Sequence, residues 1–294
     1  MQAETNSPRQ LLPWQHGALN LLQLLGLHGA LLAWLWAGRG LVPWAAFLPL
    51  SVFACLLHQR QLSEWYHEAT HWNLFPGHRW NDLCANLLIA PLNGVPVSGN
   101  RPGHFRHHAV SAFFGPDDPD TRAAAARTRQ ELRAGLLRDV AGITAWRAFR
   151  DASQAGTSPA RRAGWFVLLA ALHAGGLLAC LSAGRVDIYP LYFGTLLTLY
   201  PIANRLRLYA QHAQFDAAGA PLLAGSSASR SFHSGLLERL ILHSQVIVYH
   251  HEHHAAPSLP FRELRARSRA SADPNVHGTS GFACVAQVLR GLPP

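Results

Sequence analysis

Residues 17–37, GALNLLQLLGLHGALLAWLWA, form an apolar run without a formal charge. A helix of this kind has no polar face to offer water, so it must be buried in a protein core or in a bilayer. Three further runs share the character: 41–57, 164–183 and 188–203. A bilayer core takes roughly 17–25 apolar residues per helix, so two of the four fit well and two are marginal unless extended. Weaker apolar character recurs at 83–97, where Asn86, Pro91, Asn93, Gly94 and Pro96 interrupt it. That piece reads as a re-entrant or interfacial segment.

The competing reading is a large soluble helical bundle, and charge argues against it. Charged residues make up 14% of the chain, against roughly 25% in soluble domains. All 25 basic residues are Arg. Only Arg39 and Arg185 lie in the short connections between paired runs; the other 23 lie in the N-terminal tail, in 58–163 or after 203. Four spans with both termini inside put those 23 on one face, as the positive-inside bias predicts. The expectation is a multi-pass integral membrane protein with its termini and polar mass in the cytoplasm. The first run exceeds a signal-peptide core and no small-residue cleavage site follows it, so it reads as a retained span.

Cys55, Cys84, Cys180 and Cys284 are scattered without a C-x-x-C pair, which implies neither a disulfide framework nor a thiolate metal site. The net charge of +9 is met by Arg facing an anionic leaflet, and no nucleic-acid motif accompanies it. Residues 121–150 read as one basic amphipathic helix, with Leu132, Leu136, Val140, Ile143, Trp146 and Phe149 recurring every three or four positions. Such a helix lies along a membrane surface or packs on the domain core. Residues 151–162 read as a linker and 215–234 as a loop; Pro257, Pro260 and Pro274 break helix in the tail.

Chemistry is signalled by 18 histidines and above all by their spacing. His67 and His71 form H-x-x-x-H inside SEWYHEATHWNLF. His104, His107 and His108 form H-x-x-H-H, and His250, His253 and His254 form a second. On a helix, positions i, i+3 and i+4 point the same way, so each triplet offers three imidazoles to one site. Imidazole suits Fe, Zn, Cu and Ni. HEATH alone is also the zinc-protease spacing, with two His ligands and a Glu base. A protease, however, needs only one further ligand and leaves the two triplets without a purpose. A soluble di-iron bundle needs Glu-x-x-His pairs on separate helices, whereas Glu64/His67 and Glu68/His71 share one. A His-rich metal transporter would carry its site near the bilayer midplane, whereas these clusters fall outside the apolar runs.

HEATHWNLF, HFRHHAVSAFFGPDDPDT and YHHEHHAAPSLPF resemble the three histidine boxes of the membrane fatty acid desaturase and hydroxylase superfamily, over roughly residues 60–265. The resemblance implies an all-α integral membrane protein: about four transmembrane helices under a cytoplasmic helical cap that carries the boxes. On this reading one desaturase-like domain holds spans 17–37, 41–57, 164–183 and 188–203, box regions 58–163 and 204–265, and a tail 266–294. The resemblance also implies two irons that activate O2 against an unactivated C–H bond. Position by position, the ligands are His67, His71, His104, His107, His108, His250, His253 and His254, with His212 after the fourth run as the ninth. Glu68 is expected to accept an imidazole N–H from a ligand, and Glu252, Asp118 and His243 are further candidate supports, with Asp117 and Asp120 beside Asp118; a solvated loop is the safer reading of that Asp cluster. Trp65, Trp72, Trp80 and Phe105 are candidates to line an apolar substrate tunnel. His251 falls on a variable position, and His16, His28 and His173 pack within or beside the spans.

The leading functional expectation is an acyl-lipid desaturase. A related alkyl hydroxylase, ketolase or oxidative decarboxylase remains open. No heme-binding domain or four-cysteine iron–sulfur pattern lies within these residues, so a separate ferredoxin, rubredoxin or cytochrome b5 with its reductase is the expected electron donor. Arg262, Arg265 and Arg267 are the expected docking cations.

Overall fold

The computed structural model describes residues 13–154, 158–223, 229–232, 235–242, 247–270 and 280–294. Four long helices dominate it: α1 (Trp14–Leu41), α2 (Trp44–Thr70), α8 (Pro159–Ser182) and α9 (Ile188–His212). Between α2 and α8 lie α3 (His78–Leu88), α4 (Ala90–Asn93), α5 (Val97–Ala109), α6 (Arg129–Val140) and α7 (Ile143–Gln154). After α9 come α10 (Leu236–Ile241), α11 (His250–Ala255), α12 (Phe261–Ala270) and α13 (Gly281–Gly291).

α1 and α8 are long and apolar enough to cross a membrane, and their surfaces separate the two readings of the apolar runs. α8 buries only Trp165 and leaves Val167, Leu178 and Leu181 exposed, while α1 exposes Leu22, Leu32 and Trp36. A core helix of a soluble bundle would bury these side chains. An apolar helix open on its outer face instead matches hydrocarbon as its solvent.

α2 and α9 differ from the expected segmentation. Neither helix ends at the edge of its apolar run: α2 continues past Leu57 to Thr70, and α9 past Ala203 to His212. No Gly or Pro interrupts either extension, and buried polar pairs run along both. Arg60 lies 3.3 Å from Glu64, and Arg205 makes a bidentate pair with Asp139 at 2.7 and 3.0 Å. Each helix therefore carries an apolar half and a histidine-bearing half on one rigid rod. The short connections meet at the opposite end, where Arg185 donates to the carbonyls of Leu35 and Trp36 and pairs with Asp187.

The interrupted stretch 83–97 becomes α3, α4 and the start of α5. Its breaks free backbone carbonyls, and side chains from the long helices take them up. His28 Nε2 donates to Leu88 O at 3.0 Å, His173 Nε2 to Pro91 O at 3.0 Å and Trp165 Nε1 to Gly94 O at 2.9 Å. Non-helical backbone survives among apolar helices when such donors are supplied.

The single helix expected over 121–150 is broken. A 3-10 turn at Arg122–Ala124 precedes α6, and Gly142, with φ of 74°, separates α6 from α7. Left-handed backbone at Gly142 ends α6 while Asp139 is held by Arg205. Leu132 is thereby buried in the cap core with Leu208, Tyr209 and Val288, whereas Leu137, Val140, Ile143 and Trp146 stay exposed. At the start of the expected loop 215–234, Gln214–Phe215 pairs antiparallel with Pro221–Leu222; Pro274 lies outside the described residues.

Candidate metal centre

Four elements deliver histidines to one place. The last turn of α2 carries His67 and ends at His71; α5 carries His104, His107 and His108; His212 is the last residue of α9; α11 carries His250, His253 and His254. The helices stop there for local reasons. Trp72 takes a left-handed conformation (φ 59°), uncommon for a bulky side chain. Its ring stacks on His78 at 4.5 Å under the Arg101 guanidinium at 4.1 Å. Arg101 also donates to the carbonyls of Ala69 and Thr70 in the last turn of α2, where the regular i+4 amide donors run out. After box two, Phe114 is likewise left-handed (φ 60°), and its N–H donates to Thr121 Oγ1 at 2.6 Å.

All nine expected ligands converge, in two groups. His67, His71, His104, His108 and His253 form one, and His107, His212, His250 and His254 the other; within each, one ring nitrogen per residue lies within 4.8 Å of the rest. The groups share a wall, with the His108 and His254 rings 4.3 Å apart.

Proton bookkeeping shows what this arrangement fits. His104 Nδ1 lies 2.7 Å from Asp120 and His107 Nδ1 3.0 Å from Asp118. A carboxylate can only accept, so both Nδ1 atoms carry the proton and both Nε2 atoms present lone pairs. Nε2 of His104 lies 2.9 Å from that of His71 and 3.1 Å from that of His108, which is 3.2 Å from that of His253. His250 Nε2 meets those of His212 and His254 at 2.9 and 3.1 Å. Meanwhile the buried Nδ1 atoms of His67, His108, His250 and His253 have no partner among the described residues. No placement of one proton per ring satisfies both sets of nitrogens. Burial, reinforced by neighbouring rings, holds His67, His108, His250, His253 and His254 well below the ordinary imidazole pKa, so added protons do not relieve the ring either. Cations that accept these lone pairs fit the donor set.

The supporting residues depart from expectation in instructive ways. Asp118 accepts from His107 Nδ1 and Asp120, equal to it in placement, from His104 Nδ1; Asp117 is exposed. Glu68 does not receive an imidazole. It accepts the Phe261 N–H at 3.1 Å, because the residue next to His67 is rotated about 100° off the ligand face. Burial pushes the Glu68 carboxyl up to about 8. Glu252 likewise accepts from Ser231 Oγ rather than from a ring nitrogen. His243 lies outside the described residues. His251 points away, with Nδ1 3.2 Å from Ser229 Oγ.

Of the expected aromatics, Phe105 faces His71 at 5.6 Å, Trp65 packs on Phe261 at 5.6 Å, and Trp80 lies 54% exposed. Phe113 is the aromatic that sequence reasoning missed. Its ring covers His212 at 3.9 Å and His107 at 5.1 Å. The only available signal was its position between box two and the aspartates.

A family model described as fatty acid desaturase matches residues 42–278, a span that holds all nine histidines. Sequence boxes, helix ends and ring geometry thus converge with that match: the chain belongs to the fatty acid desaturase family.

Proposed function

We propose that this chain is an O2-dependent oxidoreductase acting on the alkyl chain of a membrane lipid or acyl substrate, with desaturation as the leading reaction. The observation that carries the reading is the pair of abutting imidazole groups, five and four strong, whose lone pairs have no other use. Two irons fit them, one group to each. Bound there, iron supplies O2 activation and hydrogen removal from an unactivated C–H bond.

The chain's own residues prepare that chemistry. Asp118 and Asp120 hold the protons on Nδ1 of His107 and His104, which fixes the tautomer and turns Nε2 inward. Phe113 and Phe105 place apolar rings against the imidazoles and keep water from them. Glu68 and Asn73 clamp the strap after box three: Glu68 accepts from Phe261, and Asn73 Nδ2 donates to the carbonyls of Pro257 and Leu259. Burying a wrong second proton donor or acceptor here would cost ligand geometry, so the clamp serves positioning.

The same reading has α2 and α9 cross the bilayer beside α1 and α8, with the histidines and both termini on the cytoplasmic side. The Arg distribution supports it. Electrons would come from a separate acidic carrier, a ferredoxin, rubredoxin or cytochrome b5 with its reductase. Arg262 is poorly placed to dock one, since it donates to Asn20 and Gln23 on α1; Arg265 and Arg267 are exposed. R265A/R267A should raise the apparent KM for the carrier, and an unchanged KM removes that docking face.

The reaction is tested by lipid mass spectrometry on membranes producing the chain with a reductase system. Loss of two hydrogens from an acyl chain identifies desaturation, and gain of one oxygen identifies the hydroxylase alternative. Neither product above the level of a His107→Ala variant would overturn both.

A further inference from the structure

We propose that a cleft at the first turns of α8 binds the phosphate group of an anionic membrane lipid. The cleft, of about 250 Å³, is lined by Asn86, Ser98, Ser153, Arg161, Arg162 and Trp165, with Pro96, Gly164 and Leu168 completing its apolar part. No acidic side chain lines it. The nearest acid in sequence, Asp151, is already paired with Arg122 and Arg150.

Three features converge on an anion. First, Arg161 and Arg162 sit in the opening turn of α8, which contains no acidic residue. Cations at a helix N-terminus oppose the helix dipole, and neither guanidinium has an acidic partner among the described residues. An anion between them relieves both penalties at once, and paired guanidiniums suit phosphate oxygens. Second, Asn86 adds a neutral donor to the cleft, whereas the Ser153 hydroxyl already donates to the carbonyl of Arg150 at 2.9 Å. The Oδ1 of Asn86 is taken by the Val97 N–H at 3.0 Å, which leaves its NH2 to face the ligand. Third, the floor is apolar and belongs to a helix whose same face continues as exposed apolar surface: Leu168 and Leu172, on the stripe of Arg161 and Trp165, are 37% and 42% exposed.

The depth of the cleft in the bilayer is marked independently. Leu137, Val140, Ile143 and Trp146 leave an exposed apolar stripe along α6 and α7. Phe149 of α7 packs on Phe166 of α8 with centroids 6.2 Å apart, so the stripe and the cleft lie at one level. Trp and apolar side chains flanked by Arg occupy the headgroup boundary, where lipid phosphates lie. A lipid seated there would have its phosphate on the arginines and its chains along Leu168 and the outer face of α8. This assignment rests on the membrane placement of α8 and is independent of the chemistry at the histidines.

The test is titration of the detergent-purified full chain with dihexanoyl phosphatidylglycerol, dihexanoyl phosphatidylcholine and inorganic phosphate, read by calorimetry. The anionic lipid should bind at least about tenfold more tightly than either alternative. R161Q/R162Q should weaken it by about 10- to 30-fold, taking roughly 1 kcal/mol for each arginine at a lipid surface. R133Q/R138Q, which removes two exposed charges from α6, should stay within twofold. S153E sets a carboxylate in the cleft and should reproduce the loss if the double variant fails to fold. Equal binding of the zwitterionic lipid or of phosphate, wild-type affinity in R161Q/R162Q or S153E, or an equal loss in R133Q/R138Q would overturn the site. Recovery of the chain in the soluble fraction without detergent would instead remove the membrane placement on which it rests.

Discussion

Two regions of this molecule pack histidines along α2 and α9, and they do so under opposite chemical terms. In the apolar half, α1, α2 and α9 enclose a chain of polar groups in which every proton has a place. His28 Nε2 donates to Leu88 O, so its Nδ1 must accept, and it accepts from His58 Nε2 at 3.0 Å. His58 Nδ1 in turn accepts from the Tyr192 hydroxyl at 3.1 Å. At the far end of α2, nine imidazoles are packed as closely, yet their Nε2 atoms face one another and their Nδ1 atoms are partly orphaned. Burial is common to both regions. What separates a structural histidine from a ligand is whether neutral partners exhaust its two nitrogens.

That difference can be broken by substitution. The largest effect is expected from H107A/H253A, which removes one ligand from each group: bound metal and product should fall to background while the folded bundle remains. Next is the Asp139–Arg205 pair, a buried charge whose partners are fully supplied. R205M should cost about 3–5 kcal/mol of stability through the uncompensated Asp139, visible as a lowered Tm with little change in metal per folded chain. D118N preserves the shape but replaces an acceptor-only group beside His107 Nδ1. Metal affinity should drop by about 10- to 100-fold, measured by competition with a chelator; an unchanged affinity would mean that Asp118 merely fills space. The smallest effect belongs to the other histidine region. H58F leaves His28 and Tyr192 without their shared partner and should cost about 1–3 kcal/mol, with metal content unaltered. Loss of metal in H58F would erase the distinction between the two regions.

The clustered histidines were legible because helical spacing writes itself into sequence, i, i+3 and i+4 in two boxes and i and i+4 in the third, while His212 was marked by the family resemblance alone. Their supports were less so, since each depends on a feature without period. Glu68 stands beside a ligand in sequence but on another face of α2, so it clamps Phe261 instead of a ring. Asp120 and Phe113 reach the site only through the turn that left-handed Phe114 opens, and Arg101 through the one at Trp72. The amphipathic pattern over 121–150 correctly marked a helical region, yet it concealed the break that Gly142 makes once Asp139 is held by Arg205. Likewise, hydropathy located the apolar halves of α2 and α9 but not their continuation, because polar residues that pair inside a fold look the same in sequence as residues that face water.

The central claim is that the nine imidazoles hold two irons. Elemental analysis of the detergent-purified wild-type chain tests it most directly. The account predicts about two irons per chain, largely lost in H107A/H253A; one zinc per chain, retained in that variant, would contradict it.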